Sequence, residues 1–152
     1  MTIREAEKND TDAMSALIDR VSRMHITAAL EPEAERIFLD SCKPSKIVEN
    51  MQCNIRYHVS ILSNEIIGLI GVRDLSHVFH LFVDSAHHQT GLGRKLWKIA
   101  LEASRSAGHT RAMTVNSSPN AVTFYEKLGF CVCGPTDHRN GITSIPMVLD
   151  AS

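Results

Sequence analysis

The segment His88-Gln89-Thr90-Gly91-Leu92-Gly93-Arg94 places two glycines directly before a run of residues with helical spacing. A turn there exposes several backbone N–H groups at a helix N-terminus, where aligned peptide dipoles create a positive partial charge. Glycine lets those groups approach an anion closely, so a diphosphate suits the turn. Arg94 and Lys95 could meet its phosphates, or lie as solvated charges on the helix. A second segment runs from Ser117 to Phe130 and reads Ser-Ser-Pro-Asn-Ala-Val-Thr-Phe-Tyr-Glu-Lys-Leu-Gly-Phe. It holds Tyr125, one of two tyrosines in the chain. A phenol keeps its proton at neutral pH and can therefore give it up to a leaving group. Its neighbours Phe124 and Leu128 read as core.

Other reactive side chains are scattered. Asp74, His77 and His80 lie on or before a predicted strand, and His80 titrates in a range useful to a base. Glu31, Glu33 and Glu35 could attract a cation, or form a solvated helix face. Of the four cysteines, Cys131 and Cys133 form the closest pair, on one face of a strand. Zinc sites usually use two pairs with wider spacing, so Cys42, Cys53, Cys131 and Cys133 read as free, mostly buried thiols. The near-neighbour histidines, His87-His88 and His77-x-x-His80, lack the spacing of a helical metal pair. No metal is expected.

The elements that must position these groups follow from periodicity. A short strand opens at Ile3, and a helix over residues 12–24 carries Met14, Leu17, Ile18, Val21 and Met24 at helical spacing. A second helix begins near Glu31-Pro32, and residues 45–52 read as one short turn. Ile55, Tyr57, Val59 and Ile61 alternate with Arg56, His58 and Ser60, the pattern of a half-buried strand. Ser63-Asn64 makes a tight turn into Ile66–Val72, a strand buried on both faces, and His77–Val83 should pair next to it. The helix after the glycines ends at Gly108. Ala112–Val115 is a strand, Ser118-Pro119 starts a helix ending at Gly129, and Phe130–Cys133 is a strand. Asn140-Gly141 signals a turn before a last strand from Ile145 to Leu149. This order predicts an α/β (α+β) fold, with a mixed, mostly antiparallel central sheet of about seven strands flanked by helices. One domain should span residues 1–152.

Together the two segments and the strand order resemble the GNAT superfamily of acyl-CoA-dependent N-acyltransferases. Gly91 and Gly93 match that family's pyrophosphate loop, although His88 stands where Gln or Arg is usual. Ala121, Tyr125, Glu126, Lys127, Gly129 and Phe130 match its second motif, with Ser118 where asparagine is common and Asn120 nearby. The resemblance implies an N-acetyltransferase that moves acetyl from acetyl-CoA to an amine by direct attack in a ternary complex. It implies a pantetheine arm paired with the backbone of Leu81, Phe82 and Val83, and a pyrophosphate on the amides from Gln89 through Thr90, Gly91, Leu92 and Gly93 to Arg94. His88, Asn120 and Phe124 complete the expected acetyl-CoA site. Tyr125 is the expected acid, His80 the expected base, and a backbone N–H near Val83 the expected partner of the oxyanion.

Composition bounds the alternatives. The 152 residues are 43% hydrophobic and 22% charged, enough to bury a core. The formal charge is −1 and no long basic run exists, so nucleic acid has no electrostatic foothold. No apolar stretch approaches the roughly 20 residues of a membrane span. A cytoplasmic protein is expected, with a homodimer possible by analogy. A Rossmann reading fails because the third glycine position, five after Gly91, is Leu96. The remaining rival is a catalytically silent acyl-CoA sensor, which could dispense with Tyr125.

Overall fold

Two tight turns shape the middle of the chain. Ser63-Asn64 (φ 52° and 64°) and Asp74-Leu75 (φ 52° and 63°) both hold two successive residues in the left-handed region. That is the backbone of the hairpin turn whose twist matches antiparallel strands. They fold β2 (Ile55–Leu62), β3 (Glu65–Arg73) and β4 (His77–Val83) into a meander. The computed structural model describes residues 1–139 and 141–151. Before the meander come β1 (Thr2–Glu5), α1 (Thr11–His25), α2 (Pro32–Asp40) and α3 (Pro44–Cys53). After it come α4 (Leu92–Ser106), β5 (Met113–Ser117), α5 (Val122–Lys127), β6 (Cys131–Val132), β7 (Asp137–Arg139) and β8 (Ile142–Leu149).

The strands form one path in the order β1-β2-β3-β4-β5-β8-β6, with β7 paired to β8. Among the described strands, only β4 and β5 run parallel. One face carries Leu92, Leu96, Trp97 and Ala100 of α4, packed with Ile70, Val72, Val78, Val115 and Met147. The other carries Met14, Leu17, Ile18 and Val21 of α1 and Ile47 of α3, packed with Tyr57, Val59, Leu69 and Phe82.

Four expectations need correction. Residues 45–52 form the body of a complete helix, because Pro44 ends the preceding segment and also serves as a first helical residue. An eighth strand, β7, precedes the final one. Of the four thiols only Cys42 is buried, since β6 is the outer strand of the sheet and Cys53 ends α3. The centre of β2 is buried on both faces, because α4 covers His58 and Ser60 as α1 and α3 cover Tyr57 and Val59. Of the expected Asn140-Gly141 turn, Gly141 has φ 76°, while Asn140 lies outside the described residues.

His58 is 8% exposed, and its Nδ1 has no hydrogen-bond partner among the described residues. Burial therefore pulls its pKa below the ordinary value. The unfolded chain then binds a proton that the folded chain refuses, so stability falls as pH drops below about 6.5. The slope for one such group is at most about 1.4 kcal/mol per pH unit. Urea titrations across this range should show the acid-side loss, and His58→Leu should reduce its slope while leaving the part contributed by His80 and His77, whose pKa values burial also lowers.

Candidate active site

β4 and β5 share only two residue pairs, His77 with Thr114 and Val78 with Val115. Beyond them β5 follows β8 as far as Ser117, while β4 stays with β3 as far as Val83. The sheet therefore opens in its own middle. The Asp84 N–H donates to the Ile67 carbonyl at 2.8 Å. Hydrogen-bonding direction alternates along an antiparallel strand, so Leu81 and Val83 turn their backbone groups into the gap. Their side chains pack on the α4 face, and Phe82 packs on the opposite face.

The glycine loop closes the end of this gap. Gly91 has φ 83°, and a Cβ built there would meet nothing within 4 Å. Backbone conformation, not crowding, demands this glycine, and the space before it is open. Gly93 is different: its Cβ would lie 3.1 Å from the Phe124 ring. The first α4 bond runs from the Lys95 N–H to the Gly91 carbonyl at 3.1 Å. The N–H groups of Gln89, Thr90, Gly91, Leu92, Gly93 and Arg94 face no well-formed acceptor among the described residues. His88 is exposed, but its Nε2–H donates to the Val83 carbonyl at 2.7 Å and so ties the loop to β4. Arg94 and Lys95 are exposed. From the other side, Arg20 pairs with Asp84 at 2.7 Å, and His25 reaches Ser85 at 3.1 Å. Asn120 accepts from the Ser118 hydroxyl at 2.8 Å.

Tyr125 packs edge-on against Phe124 and Phe130, in the same cluster as Leu81 and Val83. Burial pushes its phenol above the ordinary value, and its hydroxyl has no hydrogen-bond partner among the described residues. His80 lies on the α1 and α3 side of β4, half-buried between Phe79 and Phe82. Its Nδ1 is 2.9 Å from Tyr57 Oη, which accepts from Asn50 Nδ2 at 3.1 Å. Burial pulls the imidazole down to about 4, so the ring is neutral at pH 7.

The structure thus gathers Leu81, Val83, His88–Arg94, Phe124 and Tyr125 around one opening. Asp74, Glu33 and His77 are engaged elsewhere. Asp74 sits in its turn, bonded to Asn54 at 2.6 Å, and Glu33 pairs with Arg36 at 2.6 Å. His77 Nδ1 lies 2.7 Å from Thr114 Oγ1. A cavity of about 610 Å³ between α1 and α2 touches neither β4 nor the loop. Tyr57, Asn50 and His25 were not anticipated. Tyr57, the second tyrosine, was legible only as one apolar position in an alternating strand.

The family described as the acetyltransferase (GNAT) domain matches residues 26–151. This chain belongs to the GNAT acetyltransferases. Solved structures agree in fold. A GCN5-related N-acetyltransferase from Rhodopseudomonas palustris aligns at TM-score 0.81 and 19% identity, covering 98% of this chain and 94% of its own. The PaiA N-acetyltransferase from Thermoplasma acidophilum, solved with coenzyme A, aligns at 0.82 and 14% identity, with 98% of both chains covered. An aminoglycoside 6'-N-acetyltransferase complexed with coenzyme A aligns at 0.75 and 18%, covering 100% of this chain and 98% of its own. Among curated proteins no significant sequence match is found.

The open space at Gly91 generates a binding test for this GNAT acetyltransferase. Gly91→Glu puts a negative side chain before the unpaired amides and strains a left-handed position. Acetyl-CoA affinity, measured by calorimetry on the folded variant, should fall at least tenfold, about 1.4 kcal/mol.

Proposed function

We propose that this protein transfers an acetyl group from acetyl-CoA to a primary amine, by direct attack within a ternary complex. One observation carries the reading: an unbroken run of unpaired amides from Gln89 to Arg94 lies beside the opened edge of β4. Six N–H groups at the start of a fifteen-residue helix suit a pyrophosphate. The free N–H and C=O groups of Leu81, with the N–H of Val83, suit the amide-bearing pantetheine arm. The coenzyme A bound to PaiA and to the aminoglycoside 6'-N-acetyltransferase supports the same ligand here.

An alkyl amine with a pKa near about 10.4 is neutral in only roughly one molecule in 2,500 at pH 7. That neutral fraction attacks the thioester carbonyl. The carbonyl oxygen takes the charge, and collapse of the intermediate expels the sulfur. Tyr125 stands in the cluster that lines the gap, with a hydroxyl that has no partner among the described residues. A buried phenol with a raised pKa is a weak acid toward a thiolate, whose own pKa is near about 8.5. Its contribution is a hydrogen bond to the departing sulfur, completed by proton transfer as coenzyme A is released. The unused hydroxyl also weighs against a silent sensor, which has no need of it.

The reaction is tested by thiol release from acetyl-CoA across a panel of primary amines. Release dependent on no amine would refute transfer. Tyr125→Phe removes one oxygen and keeps the ring packing. A general acid typically contributes 10²–10⁴-fold. Because thiolates leave readily, turnover should fall by roughly 10- to 100-fold, at or below the low end of that range. The acetyl-CoA dissociation constant should move much less. Wild-type turnover in this variant, with chemistry rate-limiting, would leave Tyr125 as packing alone.

A further inference from the structure

The hydrogen bonds behind His80 run in one direction. Asn50 Nδ2 donates to Tyr57 Oη at 3.1 Å. Tyr57 is 1% exposed, and its hydroxyl reaches one other polar partner among the described residues, His80 Nδ1 at 2.9 Å. A phenol has one proton to place. Burial pushes the Tyr57 pKa up to about 12, so that proton stays on the oxygen. A buried donor without an acceptor is destabilising, so the hydroxyl points at Nδ1. Nδ1 is then an acceptor and carries no hydrogen. A neutral imidazole holds one proton, which must sit on Nε2. Nε2 has no partner among the described residues and is not fully sealed from solvent.

Backbone geometry enforces this arrangement. Gly71 lies opposite His80 in the β3–β4 ladder. A Cβ at Gly71 would stand 2.5 Å from the Tyr57 ring. Only a glycine leaves room for the phenol to lie across β3 and reach His80. The sheet opens just past Val78, one residue before the bulge at Phe79, so an arm running along β4 from the glycine loop toward the fork would pass Val83 and Leu81 before reaching the level of His80.

We propose that His80 is a hydrogen-bond donor to the thioester oxygen through Nε2–H, and that Tyr57 and Asn50 are positioning residues that hold it in that tautomer. This role rests on the acetyl transfer proposed above and replaces the base expected at His80, because Nε2 has no lone pair to offer. As the amine nitrogen bonds to the carbonyl carbon, the carbonyl electron pair moves onto oxygen, where Nε2–H meets it. The nitrogen loses its proton to water. The C–S bond then breaks, and the sulfur gains a proton from Tyr125, which solvent restores.

Two variants separate donor from base. His80→Gln keeps an N–H near the position of Nε2–H and removes every basic nitrogen. His80→Ala removes both. With His80 as donor, the Gln variant should stay within about tenfold of wild-type turnover and the Ala variant should fall about 100-fold, the loss typical of a missing oxyanion donor. Equal losses in both, or no loss in either, would overturn the donor role. The tautomer is read separately by nitrogen-15 NMR of labelled histidine in the ligand-free protein. His80 should show a protonated Nε2 and a bare Nδ1 at neutral pH, and Tyr57→Phe should mix the two tautomers. A wild-type ring protonated on Nδ1 overturns the proposal. The spectrum needs no acceptor amine, so absence of acetyl transfer would defeat the function above while the tautomer is still decided.

Discussion

Backbone amides and carbonyls in the middle of a sheet normally find partners, because a buried group left unpaired costs free energy comparable to a lost hydrogen bond. Here two parallel strands part after two residue pairs, and β4 keeps one edge free among its neighbours. Every other feature of the site follows from that separation. β5 can turn away because β8 runs antiparallel along its far side and satisfies it from Met113 to Ser117. The bulge between β3 and β4 lies at the fork. The helix that follows β4 starts where the free edge ends, so unpaired strand groups and unpaired helix amides form one continuous polar track.

His88 shows how the protein limits the cost of that track. Its ring satisfies the carbonyl of Val83, the last residue of β4, and leaves the N–H groups of the loop open. The family position usually holds Gln or Arg. A histidine there serves as a brace, and under the proposed function the pyrophosphate is left to the backbone. The two glycines divide the work differently than their spacing suggests. Gly91 supplies a conformation, while Gly93 supplies room for Phe124 and thereby lets α5 sit against the loop.

How much of this could be read beforehand depended on whether a feature was local. The glycine loop, the α4 stripe, the Ser63-Asn64 turn and the left-handed Gly108 and Gly129 are set by neighbours in sequence, and all were legible. The fold followed from the change of period between helices and strands. The length of α3 was missed because a proline reads as a stop, although it also starts helices. The double burial of β2 was missed because alternation reports one covered face and cannot see α4 arriving on the other. The chain from Asn50 through Tyr57 to His80 joins a helix and two strands, so no spacing rule announces it. Nor could the exposure of Cys131 and Cys133 be read, since apolar neighbours look the same in an edge strand and a central one.

The first helix touches the turn between β4 and the glycine loop through side chains far away in sequence. Arg20 reaches Asp84 across 64 positions, Met24 accepts from Ser85 across 61, and His25 meets Ser85 across 60. All three precede the stretch that the family match covers. Contacts of such long separation form late, because closing the intervening chain costs entropy before any bond is gained. Local turns and the His88 brace arrange the loop itself, and the N-terminal helix adds contacts to Asp84 and Ser85 just before it. Met14, Leu17 and Ile18 of the same helix are fully buried against Tyr57, Leu69 and Phe82 of the sheet, so these contacts open only together with that face of the core.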